Sequence, residues 1–439
     1  MAVLILLLFI QSTGLLSDQG LVQDHLLHRS DVAPMTLAQI EAAALENNAD
    51  IRLVEQRVAQ VKTGTAMALA TEDPTFTYRA WGTPLFSPWN VNQTQHMFMV
   101  NQVFPAKGKR ELRYELALNA VEVAEAELET VKLDVAASVR SAFYELLRTY
   151  DELRLHDEQS VLARQAVASA RIKYTVGRVP QQDVLKAQVA VTQLAEHLTM
   201  FLQDGDLARA RLNTLMGRDP AALLEIAGEY TPVSTLPGVT RLQQIALENR
   251  PELKVLKAAI HQSETNVLLT EKNTKPDLMV GGGYMLMPSG GGNRNALMAE
   301  LSFNLPWLNR SKVDAQIREI QAGAGVQRAE VEKLRAAIFH EIQIAFIRAN
   351  SAMRLLDLYR HTLRPQAQAT LRATSAAYQT DQTDFLNLID SQNTLLDVEY
   401  SYYRALADFD GRTAELERAI GAAIPRNTIA QGEARHEAK

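Results

Sequence analysis

The sequence of 439 residues contains no cysteine. This absence excludes disulfide bonds, thiolate metal sites, cysteine nucleophiles and a lipid-modified amino-terminal cysteine. An excess of basic charge is missing as well, because 45 basic residues stand against 51 acidic ones and the net charge is −6. A surface that binds nucleic acid is normally basic. We therefore predict that nucleic acid is not a partner.

Long apolar runs are also missing. No run of 18 apolar residues occurs, so the sequence predicts no membrane-spanning helix, whereas the short and alternately apolar strands of a barrel remain compatible with it. Nine apolar residues, Ala2–Ile10, have the length of a signal-peptide core. We predict a signal peptide at residues 1–17, without a defined cleavage site because no A-x-A motif follows. A buried strand or helix start is the alternative.

Motifs that would support catalysis are absent. The sequence has no Walker loop, no G-x-S-x-G and no H-E-x-x-H. His25 and His28 are spaced i, i+3, but we interpret them as solvated side chains rather than metal ligands. The sequence therefore predicts no enzyme, no cofactor and no metal site.

Methionines are concentrated in the segments that we predict to be strands. Thioethers can bind copper(I), but filling an apolar surface is the commoner role, and we favour it here. The six methionines concerned are Met97, Met99, Met279, Met285, Met287 and Met298.

The chain repeats itself with an offset of 204 residues. The apolar spacing 3, 4, 3, 4 of a coiled-coil seam in residues 184–198 recurs in residues 388–402. Upstream, Leu45-Glu46-Asn47 recurs as Leu247-Glu248-Asn249. We predict two structural repeats at residues 36–217 and 239–424, a linker at residues 218–238 and a disordered tail at residues 425–439.

A segment of 68 residues, from Lys109 to Val176, contains neither glycine nor proline and keeps helical apolar spacing. A helix of that size is about 100 Å long, which indicates a coiled coil rather than a globular core. Gly177 suits the left-handed residue that ends a helix, and Pro180 suits the first turn of the next one. The sequence predicts a long helical hairpin that returns through Leu215.

The remaining elements follow the same scheme in both repeats. Further helices are predicted at residues 36–70, 241–272, 312–379 with a break at Pro365, and 384–419. Strands are predicted at residues 75–81, 97–103, 278–287 and 296–305.

Four strands in one chain cannot close a barrel, because small barrels need about eight. Open strand edges are not tolerated in lipid, and three chains together would supply twelve strands. The predicted fold class is therefore a mixed α and β-barrel membrane protein. It consists mostly of long α-helical coiled-coil hairpins, and four strands per chain contribute to a trimeric 12-stranded β-barrel.

Several motifs resemble those of the TolC-type outer membrane factors. They are Leu45-Glu46-Asn47-Asn48 in the first helix, the prolines that flank the strands, and the tip Tyr174-Thr175-Val176-Gly177 followed by Asp183-Val184-Leu185. The resemblance covers residues 36–424. The segment Val103–Arg110 most resembles the heavy-metal-exporting branch of this family.

The resemblance implies two functional regions. Both hairpin tips would contact a periplasmic adaptor protein, and in the second tip Asp381 stands where glycine is usual. A periplasmic gate would lie just past that tip, where Asn387 and Thr383 replace an aspartate and a basic residue of the family. The implied adaptor-binding residues are Tyr174, Val176, Gly177, Arg178, Thr380, Asp381 and Gln382, and the implied gate residues are Tyr378, Thr383, Asn387 and Asp390.

The function implied by the resemblance is the exit duct of a tripartite efflux pump. It would lie in the bacterial outer membrane with a long periplasmic extension, and it would passively conduct substrates exported by an inner-membrane pump. The implied partners are two further copies of the chain in a homotrimer, the adaptor, an inner-membrane pump of the RND type and outer membrane lipid. A type I secretion duct of the same fold and a structural coiled-coil scaffold are the alternatives.

Overall fold

The computed structural model describes residues 33–83, 85–86, 94–287, 294–380 and 382–425. The predicted signal peptide, His25, His28 and Asp381 lie outside the described residues, as do residues 426–439 of the predicted tail.

The described part of the chain is mostly helical. Its helices are α1 Leu37–Asn47, α2 Ala49–Leu69, α3 Lys109–Thr175, α4 Gln181–Leu215, α5 Val239–Asn249, α6 Pro251–Lys272, α7 Arg310–Leu358, α8 Arg364–Gln379 and α9 Phe385–Ile420. A 3₁₀ turn, Pro306–Asn309, precedes α7, and a π-helical turn, Tyr359–Leu363, joins α7 to α8. Over the described residues, every helix is too short or too polar to cross a membrane.

Four strands form one antiparallel sheet in the order β1, β2, β3, β4. Their bounds are β1 Thr75–Trp81, β2 Gln95–Phe104, β3 Leu278–Met287 and β4 Arg294–Phe303. The prediction of four strands at these places is thus confirmed, with end shifts of one or two residues. The central pair, β2 and β3, joins one strand from each predicted repeat.

The two faces of the sheet differ in exposure. One face carries apolar side chains that are largely exposed, among them Leu297 at 88%, Leu301 at 67% and Phe76 at 68%. Side chains at the alternate positions of β2 to β4, such as Met99 and Asn101, are mostly buried or half-buried. The period-two alternation predicted for β4 is therefore present, and its apolar side is the exposed one.

The helix predicted at residues 36–70 is divided in the structure. Asn48 has extended backbone angles and separates α1 from α2, while its Oδ1 accepts hydrogen bonds from the backbone N–H of Asp50 at 2.9 Å and of Ile51 at 3.3 Å. Asparagine is a favourable N-cap because its side chain satisfies the free donors of a first turn. The prediction of one continuous helix was wrong for this reason.

Two proline positions also differ from prediction. The helix predicted at residues 241–272 is interrupted at Arg250, which is extended because it precedes Pro251. At Pro365, by contrast, the helical path continues through the π-helical turn. Proline lacks the N–H and its ring clashes with the carbonyl one turn earlier, and a wider turn moves that carbonyl away from the ring.

The chain divides into two compact units. The first comprises residues 33–52, 131–250 and 337–425 of the described chain, and the second comprises residues 53–130 and 251–336. Each unit draws on both predicted repeats. The sheet lies in the second unit, whereas both hairpin tips lie in the first.

Two glycines end the return helices of the first unit in the same way. Gly217 follows α4 and Gly421 follows α9, with φ of 67° and 68°. A Cβ on Gly217 would clash with the carbonyl oxygen of Asn47, and a Cβ on Gly421 would lie 3.3 Å from the carbonyl of Asn249. The repeated Leu-Glu-Asn motif is therefore a packing site for the glycine that ends the hairpin.

We expect Gly217→Ala to destabilise the protein by about 1–3 kcal/mol, because alanine is strained at positive φ, with a further contribution from the clash. The midpoint of thermal unfolding, followed by circular dichroism in detergent, measures this effect. Gly323→Ala is the control, since a Cβ there meets nothing within 4 Å inside α7 and should stabilise the helix by up to about 1 kcal/mol. Equal midpoints for the two variants would contradict the packing role.

Candidate functional site at the helical tips

The first hairpin tip is a rigid turn with exposed side chains. The N–H of Gly177 donates to the carbonyl of Tyr174 at 3.0 Å, and that of Arg178 donates to the carbonyl of Lys173 at 2.9 Å. With φ of 73° at Gly177, these bonds form a Schellman motif. Tyr174 and Val176 are 45% and 64% exposed, so the turn presents apolar surface to solvent.

The second tip ends α8 with the same bond. The N–H of Gln382 donates to the carbonyl of Ala377 at 2.8 Å, which corresponds to the bond from Arg178 to Lys173 at an offset of 204 residues. Thr380 and Gln382 are exposed. Because Asp381 lies outside the described residues, the prediction for it stays a prediction.

The two tips are joined by side chains from both hairpins. Ala170 and Ala187 of the first hairpin pack with Phe385 and Ile389 of the second in one buried cluster. Tyr378 packs against this cluster, and the Nζ of Lys173 lies 3.6 Å from its ring centroid, a cation–π contact.

The predicted gate residues have three different environments. Tyr378 is half-buried and packs against Phe385, with 5.9 Å between ring centroids. Thr383 and Asn387 are bonded to each other, because the Nδ2 of Asn387 donates to the Oγ1 of Thr383 at 3.1 Å. Asp390 is exposed on α9.

Asn387 also takes part in the N-terminal capping of α9. Asp384 is the N-cap, and its Oδ1 accepts a hydrogen bond from the backbone N–H of Asn387 at 2.9 Å. Thr383 and Asn387 are thus engaged in bonds at the start of α9, and Asp390 is the predicted gate residue with an exposed carboxylate.

A buried carboxylate ties the two hairpins together further from the tips. Glu152 on α3 has no exposed surface, and Arg148 donates to both of its oxygens at 2.8 and 2.9 Å. Arg404 on α9 donates to it at 3.3 Å, and Arg148 also reaches Asp204 on α4 at 3.1 Å. Burial raises the pKa of Glu152, and the two guanidinium groups oppose that shift.

Two arginines add a second ionic network in the same unit. Arg140 bonds Glu41 and Glu417, and Arg418 bonds Glu341 and also Asp134, the last at 2.6 Å. Both networks join segments that are far apart in sequence. In the described part of the chain, His, Asp and Glu side chains form no group of three that could hold a metal ion.

The model of the family described as "Outer membrane efflux protein" matches residues 42–218 and again residues 242–422. The chain belongs to this family. An outer membrane efflux protein is the exit duct through which an efflux pump releases its substrates, and it lies in the outer membrane with a periplasmic helical part. The family is one of transport proteins rather than enzymes.

Individual proteins resemble this outer membrane efflux protein over nearly its whole length. The cobalt-zinc-cadmium resistance protein CzcC of Cupriavidus metallidurans is 22% identical over 92% of this chain and 94% of its own length. Among solved structures, the outer-membrane channel OprN has a TM-score of 0.71 at 18% identity, covering 88% of this chain and 90% of that chain. VceC of Vibrio cholerae has a TM-score of 0.69 at 16% identity, covering 89% and 97%.

Sequence reasoning missed the residues that join the tips in this efflux protein. Lys173 precedes the tip motif and gave no signal, because its partner Tyr378 lies 205 residues later. Ser391 lies within the predicted seam at residues 388–402, and its Oγ donates to the Oγ1 of Thr374 at 3.0 Å, which links α9 to α8. The offset of 204 aligns equivalent residues of the two hairpins, but it does not reveal which residues touch.

We expect Glu152→Ala to lower the free energy of unfolding by about 3 kcal/mol, because it leaves two guanidinium groups without their shared buried carboxylate. Glu145→Ala is the matched control on the same helix. Glu145 is 49% exposed and pairs with Arg211 at 3.5 Å, so its removal should cost less than about 1 kcal/mol. Denaturant unfolding of both variants measures the difference, and similar losses would rule out the buried cluster as a structural tie.

Proposed function

We propose that this chain forms a homotrimer in which three four-stranded sheets close a 12-stranded barrel in the outer membrane. The exposed apolar face of the sheet supports this arrangement, because Leu297, Leu301 and Phe303 are 88%, 67% and 55% exposed. Such a face would contact lipid. The double match of the family supports an internal duplication with repeats at residues 36–217 and 239–424.

We further propose that the joined tips are the docking surface for a periplasmic adaptor. The single observation that carries this proposal is the rigid first tip, where a Schellman turn holds Tyr174, Val176 and Arg178 exposed. A pre-organised turn binds with little loss of conformational entropy. The second tip would contribute Thr380, Asp381 and Gln382 to the same surface.

The proposed cargo is heavy-metal cations delivered by an inner-membrane pump of the RND type. The similarity to CzcC, a cobalt-zinc-cadmium resistance protein, over 94% of that protein supports this cargo. The segment Val103–Arg110 supports the same branch. Within it, Lys109 at the start of α3 is buried, and its Nζ lies 2.8 Å from a carboxylate oxygen of Asp277, the residue before β3. This ion pair joins α3 to the sheet.

The proposed gate consists of Asp390 repeated three times around the axis of the trimer. An exposed carboxylate at each of three equivalent positions would repel its neighbours and attract cations. Tyr378 would contribute by holding the second tip against the first through Lys173.

We expect Gly177→Pro to abolish metal resistance in cells that depend on this protein, without loss of the trimer. Proline fixes φ near −65° and removes the N–H that donates to Tyr174, so the first tip loses its turn. Resistance to cobalt, zinc and cadmium, together with native mass spectrometry of the purified protein, measures the two properties.

The matched control is Gln181→Pro in the same tip. Gln181 is the first residue of α4, where proline is favourable, and it follows Pro180, whose extended angles are compatible with a second proline. This variant should keep both trimer and resistance. Full resistance in Gly177→Pro cells would discredit the tip as the docking surface.

We expect Asp390→Ala to reduce the block of single-channel current by divalent cations. The reason is that removing one carboxylate per chain removes the whole proposed ring. Asp397→Ala is the control, since Asp397 is an exposed carboxylate one heptad further along α9 and should leave the block nearly unchanged. Planar-bilayer recordings measure this effect, and an unaltered block in the Asp390 variant would remove Asp390 from the constriction.

A further inference from the structure

The strand register places all six strand methionines on one face of the sheet. Met97 lies directly opposite Met285, Met99 lies opposite Gly283, and Gly283 lies opposite Met298. Met279 and Met287 share the parity of Met285 in β3, so they point to the same side. In the four described strands, the opposite face carries no methionine.

This distribution differs from the one expected if the methionines filled the exposed apolar face of the sheet. The exposed apolar face is built from leucine, valine, phenylalanine and tyrosine, which include Leu301, Val100 and Phe303. The methionines instead share their face with Thr77, Asn101, Glu300 and Ser302. Packing against lipid cannot account for methionines that are confined to the polar side.

Four of these methionines lie at two adjacent levels of this face. Met97 and Met285 form one cross-strand pair, in which Cβ atoms are about 5 Å apart. Met99 and Met298 occupy the next level, on either side of Gly283, where no side chain separates them. A Cβ built on Gly283 would lie 2.7 Å from the Cγ of Met99, so the side chain of Met99 lies over this glycine.

A buried oxygen without a partner lies near Met99. Asn101 is 8% exposed, and among the described residues its Oδ1 has no hydrogen-bond partner. It faces Gly281, and a Cβ on Gly281 would also lie 3.3 Å from the Cε of Met99. An unpaired buried acceptor normally has a reason, such as a ligand that the oxygen contacts.

We propose that Met97, Met99, Met285 and Met298 form a binding site for a soft monovalent metal ion, copper(I) or silver(I), with the Oδ1 of Asn101 as a polar neighbour next to Met99. Thioether sulfur is a soft ligand that prefers copper(I) over harder divalent ions such as cobalt(II), and methionine side chains have enough rotatable bonds to converge on one ion. Its position along the conduit rests on the proposed barrel, whereas the binding itself does not.

Weak thioether ligation suits a surface over which ions travel. Conduction requires sites that attract an ion and yet release it, and several adjacent weak sites meet that need better than one tight site. Met279 and Met287 continue the methionine face toward the two ends of β3. The polar side of the sheet would therefore extend the metal selectivity of the duct to soft ions.

The first test is silver(I) binding to the purified full-length protein in detergent, measured by isothermal titration calorimetry in a chloride-free buffer with nitrate as the counter-ion. Replacing the four methionines should weaken silver binding by about tenfold or more, because leucine keeps the volume but removes the sulfur. The changes are Met97→Leu, Met99→Leu, Met285→Leu and Met298→Leu. The matched control, Met67→Leu with Met200→Leu, alters methionines that are 77% and 50% exposed on helices and should leave binding unchanged.

A second measurement uses the unmodified protein, so it does not depend on the folding of a variant. Silver(I) should slow the oxidation of the four site methionines by hydrogen peroxide, read by peptide mass spectrometry, and should leave Met67 and Met200 unprotected. Cobalt(II) at the same concentration should give no protection. The proposal would be overturned if silver(I) protected Met67 and Met200 as strongly as the four site methionines, or if it did not protect the four. Equal protection by cobalt(II) would overturn it as well. Each of these results would count against the site even if the tip variants behave as expected of an efflux duct.

Discussion

One buried carboxylate holds the two helical hairpins together. Glu152 has no contact with water, and a lone charge in that position would be strongly unfavourable. Arg148 neutralises it from the same helix, and Arg404 does so from the other hairpin. Because the tips project from these helices, the contact between Lys173 and Tyr378 depends on the hairpins staying in register. The adaptor surface that we propose is thus supported by charge pairing farther along the helices.

The two hairpins have the same backbone hydrogen bond at their tips and a glycine of positive φ at their other ends. At the tips, the bond from Arg178 to Lys173 recurs as the bond from Gln382 to Ala377. At the other ends, Gly217 and Gly421 turn the chain beside the two Leu-Glu-Asn motifs. Side chains then make the halves different, since Asn48 bonds the carbonyl of Leu215, whereas the equivalent Arg250 bonds Glu341 and the carbonyl of Arg418.

The regular parts of the fold were predictable because they depend on local and periodic signals. Heptad spacing, the long segment without glycine or proline, and the alternation in β4 indicated the helices and strands within a few residues. The breaks at Asn48 and Arg250 were missed, because each depends on a cap or on one following proline inside an otherwise helical pattern. The contact of Lys173 with Tyr378 could not be found at all, because a single sequence does not tell which residues of two helices meet. The gate was predictable only as a resemblance. Asp384 caps the backbone N–H of Asn387, and the Asn387 side chain separately bonds Thr383.

The strand register decides that the six strand methionines share one face of the sheet. From the sequence, six thioethers in strands fit an apolar filler, and a shift of one residue in pairing would have moved each strand's set to the other face. The observed pairing brings four of them to two adjacent levels of the polar face, where Met99 lies near an unpaired amide oxygen. A face built for harder divalent ions would be expected to carry more carboxylate and imidazole ligands, whereas here sulfur predominates. The soft-ion surface and the resemblance to a resistance protein for cobalt, zinc and cadmium therefore describe different properties, because the pump can select the cargo while the wall of the duct adds its own preference.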